Sequence, residues 1–188
     1  MIKTIKICGD PVLREKSEPV EKVDGYVRNL VADMFETMYG DRGVGLAAVQ
    51  VGVPLRLFIV DTSQYGGGRL VLLNPKITRR EGTQVGDEGC LSVPGLVGQV
   101  ERAFHVEFEA TGFDGEPISG EATELTARAL QHEGDHLEGV LFIDRLSPEQ
   151  RKAITRQLKR LKKQWKRIER GEIAIEFLLE DLDKTPEL

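Results

Sequence analysis

The chain has 188 residues, 26 Lys and Arg against 31 Asp and Glu for a formal charge of −5, and a 40% hydrophobic share. That length suffices for one compact domain whose core needs no disulfide framework, and two cysteines, Cys8 and Cys90, could not supply one. Apolar runs are as short as Leu57-Phe58-Ile59-Val60, and Gly9-Asp10-Pro11 interrupts Ile2, Ile5 and Ile7 before a secretory core can form. Composition thus excludes a secreted disulfide scaffold, a membrane span and a disordered chain, and points to a soluble protein of a reducing compartment.

Asp10-Pro11 and Glu18-Pro19 predict an extended N-terminal arm with turns. A helix follows, capped by Asp24 and carrying Val27, Leu30, Val31, Met34 and Met38 at helical spacing, with Gly40 suited to a left-handed stop. Leu55 to Asp61 and Leu70 to Asn74 read as short strands bounded by Pro54, Gly66-Gly67-Gly68 and Pro75. From Phe104 to Thr111 the chain alternates, with Phe104, Val106, Phe108 and Ala110 on the inner face and a solvated His105 on the outer one. Asp114-Gly115 then turns it into a return strand over Ile118 to Ala122. A helix from about Thr123 to Glu138 ends at Gly139. Ser147-Pro148-Glu149-Gln150 opens a last helix, which runs to about Arg170. Strands and helices do not alternate as βαβ units, so the class is α+β, with residues 1–188 as one domain.

Two of the three histidines fall at i and i+4 in His132-Glu133-Gly134-Asp135-His136, which stacks both imidazoles on one helix face. There they can bind one divalent ion while Glu133 acts on a water beside it. A catalytic metal takes a third protein ligand. Glu138 and Asp144 qualify by type, but Cys90 is more suggestive, because Gly86, Gly89, Pro94 and Gly95 around it suit a binding loop. A third segment, Gly43 to Gly52, is rich in small residues that leave room for a substrate backbone, and its Gln50 can donate to an oxyanion. Its glycines are equally suited to a plain tight turn.

Taken together, Gly43 to Gln50, Glu88 to Ser92 and Gln131 to His136 resemble, in order, the three motifs of the peptide deformylase family. The likeness extends from Gly9-Asp10-Pro11-Val12-Leu13-Arg14 to Arg145-Leu146-Ser147-Pro148. The resemblance implies antiparallel sheets packed around a central metal-bearing helix, and removal of the formyl group from the formylmethionine of nascent polypeptides. It implies Cys90, His132 and His136 as metal ligands, Glu133 as acid and base, and Gln50 with the Leu91 backbone N–H as oxyanion donors. It also implies Gly45 and Gly89 as partners of the substrate backbone, Val44, Leu125, Ala129 and His132 as walls of a methionine pocket, and Arg102 as the partner of Glu88. One divalent ion per chain is expected. Sulfur and imidazole suit zinc, iron or nickel, with cobalt also possible, and the resemblance favours Fe(II).

Between Glu149 and Arg170 stand ten Lys and Arg against Glu149 and Glu169, and Ile154, Leu158, Leu161, Trp165 and Ile168 form the apolar seam of this amphipathic helix 148–170. So one-sided a charge suits phosphate-rich RNA, and the resemblance to deformylases whose C-terminal helix docks on the ribosome implies that partner, whereas neither DNA nor a membrane is expected. The acidic tail 172–188 could fold back over that helix. Cytoplasmic location follows from the resemblance. Two rival readings share parts of this pattern: a zinc endopeptidase, whose third ligand normally lies downstream of His-Glu-x-x-His, and a non-catalytic ribosome-associated module.

Overall fold

The structure, a computed structural model, describes residues 1–174, so most of the acidic tail and its fold-back lie outside the described residues. In chain order the elements are α1 (Gly25–Gly40), β1 (Gly45–Ala47), β2 (Leu57–Asp61), β3 (Arg69–Glu81), β4 (Gln84–Gly89), β5 (Val97–Arg102), β6 (His105–Thr111), β7 (Pro117–Thr123), α2 (Glu124–Leu137), α3 (Pro148–Ala153) and α4 (Thr155–Glu169). A five-stranded sheet of order β1-β2-β3-β6-β7 and a two-stranded β4-β5 ribbon are antiparallel throughout, so the class is α+β as expected.

The continuous apolar run in β2 is explained by burial on both faces. Leu57 and Ile59 pack with Leu30, Met34 and Met38 of α1, whereas Phe58 and Val60 pack with Ala127, Leu130 and Leu137 of α2. The sheet is therefore clasped between two helices at its β1–β3 end, and α2 lies against its inner face. A third cluster joins Ile7, Cys8, Leu13, Val93, Val100 and Phe142 to Leu158 and Leu161 of α4.

Several boundaries differ from expectation, each for a local reason. α1 passes through Gly40, and the left-handed residue beyond it is Arg42 (φ 56°), after which Gly43 N–H closes on Met38 O. β3 continues past Pro75 to Glu81. The proline, which has no N–H to give a ladder, falls inside a register shift between Leu73 and Lys76, beside a left-handed Asn74 whose side chain bonds both Val20 N and Val20 O. Phe104 is 41% exposed because the strand begins one residue later, at His105. The last helix is two helices, interrupted at Ile154 (ψ 0°), where Thr155 Oγ1 donates back to Arg151 O at 2.8 Å. The Asp24 cap, the Ser147/Gln150 capping box and the Gly139 stop form as expected. Gly139 (φ +70°) admits only glycine, since a Cβ there would stand 2.6 Å from Arg14 O.

Candidate metal centre

Three segments meet at one point. α2 carries His132 and His136 one turn apart with ring centroids 5.1 Å from each other, and the β4 ribbon ends in Cys90, whose Sγ lies 3.3 Å from His136 Nε2. Ligand atoms of Cys90, His132 and His136 all fall within 4.8 Å of one another. The turn after β1 brings Gln50, whose Oε1 accepts from Ala47 N–H at 2.8 Å and whose Nε2 donates to Cys90 Sγ at 3.5 Å and Ser92 Oγ at 3.2 Å. Glu133 is 4% exposed, and its Oε2 is buried with no hydrogen-bond partner among the described residues. Its other oxygen lies against Gly45, where a Cβ would stand 2.4 Å from Oε1, so any side chain at 45 would displace the Glu133 carboxylate.

Glu88 organises one side. Its carboxylate accepts from Arg102 Nε and Nη2 (both 2.9 Å), from Arg128 Nη1 (2.8 Å) and from His132 Nδ1 (2.9 Å). Arg102 reaches on to Asp135 at 2.7 Å, which Arg145 also holds. Binding Glu88 commits Nδ1 of His132 and leaves Nε2 for a metal, the usual way a carboxylate fixes a ligating imidazole. One sulfur and two imidazole nitrogens, oriented in this way next to a buried carboxylate with one unpartnered oxygen, fit a divalent transition ion.

The electrostatics are uneven. Burial opposes ionisation of Glu88, yet hydrogen bonds from His132 and Arg102 hold its carboxyl at about 2. For Glu133 burial dominates and lifts the carboxyl to about 7. Burial also works against both imidazolium forms. At His132 the Cys90 sulfur and Glu88 overcome it and raise the pKa well above the ordinary value, while His136, fully enclosed, is held well below it.

A cavity of about 740 Å³ opens above the cluster. Leu125, Ala129, His132 and Glu133 of α2 line it, opposite Val44, Gly45 and Gln50, with Glu88, Gly89, Cys90 and Leu91 along the ribbon side. His136 forms none of the cavity lining and is fully buried, and Arg102 stands behind Glu88. Glu138 and Asp144, the other ligand types considered, are engaged elsewhere, with Arg56 and Lys16 and with Arg14 and Arg151 respectively. His105 is only 20% exposed at its side chain and sits between Glu121 and Glu81, its Nε2 3.2 Å from a Glu121 carboxylate oxygen, so it is less solvated than expected. Sequence reasoning missed Arg128 and Ser92. An arginine two turns before His136, on the same stripe as Leu125 and His132, was the available signal for the first.

This sheet, packed against a helix whose His-Glu-x-x-His meets an upstream cysteine, defines the class: an α+β fold with a Cys-His-His cluster beside a buried glutamate. Residues 2–152 match the family described as polypeptide deformylase, and the chain belongs to that family. A peptide deformylase of Alkalilimnicola ehrlichii is 48% identical over 164 residues, 87% of this chain and 92% of the relative. The crystal structure of the peptide deformylase from Thermus thermophilus is 42% identical, with a TM-score of 0.81, over 87% of this chain and 99% of that one. A peptide deformylase of Synechococcus elongatus in complex with actinonin is 39% identical, with a TM-score of 0.77, over 82% of this chain and 85% of that one.

Proposed function

We propose that the chain is a metal-dependent hydrolase that removes the formyl group from the N-terminal formylmethionine of nascent polypeptides, releasing formate and a free amine. The observation that carries this reading is the convergence of Cys90, His132, His136 and the buried Glu133 in and beneath one substrate-sized cavity. Cys90, His132 and His136 would hold the ion, Fe(II) by preference, which when bound supplies a Lewis acid that acidifies water and polarises a carbonyl. Glu133 takes the proton of the attacking water and returns one to the departing amine nitrogen. A carboxyl lifted to about 7 is matched to both transfers near neutral pH. Gln50 Nε2 and the Leu91 backbone N–H stabilise the charge that develops on the formyl oxygen. Gly45 and Gly89 leave the substrate backbone room to approach, and Val44, Leu125 and Ala129 form the apolar wall for the methionine side chain.

Cytoplasmic nascent chains are the substrate, and the basic face of α3 and α4 is where the protein would meet the ribosome; no helix among the described residues is long and apolar enough to cross a membrane. Anaerobic purification with metal analysis, coupled to formate release from a formylmethionyl peptide, tests the reading. One equivalent of metal and stoichiometric formate are expected. Cleavage of internal peptide bonds without formate would favour the endopeptidase instead.

A further inference from the structure

Cys90 and the two imidazoles reach the cluster on different bodies. The sulfur rides at the end of the β4–β5 ribbon, whereas both histidines belong to α2. A two-stranded ribbon is marginal by itself, so its placement depends on what ties it to the helix. Arg128 is such a tie. It belongs to the α2 stripe Leu125, Arg128, Ala129 and His132, spaced i, i+3, i+4 and i+7, that lines the cavity, and its side chain is 9% exposed. Nη1 donates to Glu88 Oε1 (2.8 Å), Val100 O (3.0 Å) and Gly86 O (3.4 Å), and Nη2 donates to Gln84 O (3.3 Å). One guanidinium therefore holds both strands of the ribbon and the carboxylate that orients His132. The space it occupies is the one a side chain at position 86 would need, since a Cβ on Gly86 would lie 3.1 Å from Nη2 and 3.4 Å from Cζ.

We propose that Arg128 is a positioning residue of the deformylation reaction, tying the β4–β5 ribbon to α2 so that Cys90 is fixed against the two imidazoles and Glu88 against His132. The proposal rests on the deformylase reading for its chemistry but not for its geometry. Lysine at 128 would keep the charge toward Glu88 and lose the fork that reaches the strand carbonyls. A valine at 86 would push the guanidinium out of place without touching a ligand.

The test uses the Co(II)-loaded full chain, with cobalt release to a chelator and the thiolate-to-cobalt absorption band as readouts beside kcat and KM on a formylmethionyl peptide. All are measured at a temperature where circular dichroism shows each variant folded. Arg128→Met is expected to weaken cobalt binding by about 10-fold, at the lower end of what loss of an orienting partner costs, with an altered band and a fall in kcat larger than any change in KM. Arg128→Lys recovers part of the loss, and Gly86→Val reproduces it in the parent but adds little on top of Arg128→Met. Wild-type cobalt affinity, band and kcat in Arg128→Met would overturn the proposal, as would independent, multiplying effects of the 86 and 128 substitutions. If Arg128→Met does not fold, Arg128→Lys and Gly86→Val give the same readings. Failure of the parent to release formate would instead remove the deformylase reading, while the cobalt measurements would still judge the tie.

Discussion

Glu133 combines two properties that rarely coexist: nearly complete burial and an oxygen with no hydrogen-bond partner among the described residues. Burial disfavours the charged form and lifts the carboxyl to about 7, the range in which an acid and base for near-neutral chemistry would sit. Replacing it tests that role. Glu133→Ala is expected to lower turnover by about 10² to 10⁴ while metal analysis still finds one ion per chain, because the three candidate ligands are untouched. Gly45 makes an independent prediction. A methyl group there would meet Glu133 Oε1 at 2.4 Å and push the carboxylate aside, and a displacement of about 1 Å at a reacting group costs about 10²-fold in rate. Gly45→Ala should therefore depress kcat strongly in steady-state formate assays while leaving the melting temperature nearly unchanged, since the cost falls on one side chain at the edge of a cavity.

The elements differ in how readily the sequence discloses them, and the difference follows from what each one buries. α2 was legible because its His-Glu-x-x-His motif lies along one face, and β2 because four consecutive apolar residues satisfy two helices. The β4–β5 ribbon was not: Val85 and Val97 are 62% and 61% exposed, and what faces inward is Val100 beside Glu88, Arg102 and glycine, so one apolar residue leaves no hydrophobic alternation to mark it. Largely buried ion pairs join it to α2, Arg128 to Glu88 and Arg102 to Asp135, and only tertiary structure reveals them. The histidine pair and Glu133 were thus visible in the motif, Cys90 was suggested by its glycine-rich loop, and Arg102 by resemblance, whereas Arg128 needed the fold. α4 presents the reverse case. Its seam was plain, and Leu158 and Leu161 do bury against Ile7, Val93 and Phe142, but the break at Ile154 was hidden inside a continuous helical pattern. Leu161→Ala is expected to cost about 2–4 kcal/mol in denaturant unfolding and to leave kcat of the folded protein unchanged, because α4 contributes nothing to the lining of the cavity above Cys90, His132 and His136.

At the scale of the whole molecule, the segments outside the sheet are joined through one carboxylate. Asp144 follows α2 in a short 3-10 turn; it accepts from the Leu141 N–H at 3.0 Å, from Arg14 of the N-terminal arm and from Arg151 of α3 at 3.3 Å. Arg14 also donates to Gly139 O at the end of α2. Arm, α2 and C-terminal helices thus share a charged node above the cluster that includes Leu13, Phe142 and Leu161. Burial opposes the Asp144 carboxylate, but the hydrogen bonds from Arg14 and Leu141 outweigh it and hold the group below the ordinary aspartate value of 3.8. A carboxyl depressed in the folded state binds protons more weakly there than in the unfolded chain, so its contribution is full above the unfolded value and disappears as pH falls through the folded one. Unfolding free energies measured between neutral pH and pH 3 should accordingly decline less steeply for Asp144→Asn than for the parent. At neutral pH the variant should be less stable by about 1–3 kcal/mol, the usual worth of a hydrogen-bonded charge. Equal pH slopes in the two proteins would show that the node is solvated and that the arm and α3 are held by their apolar contacts alone.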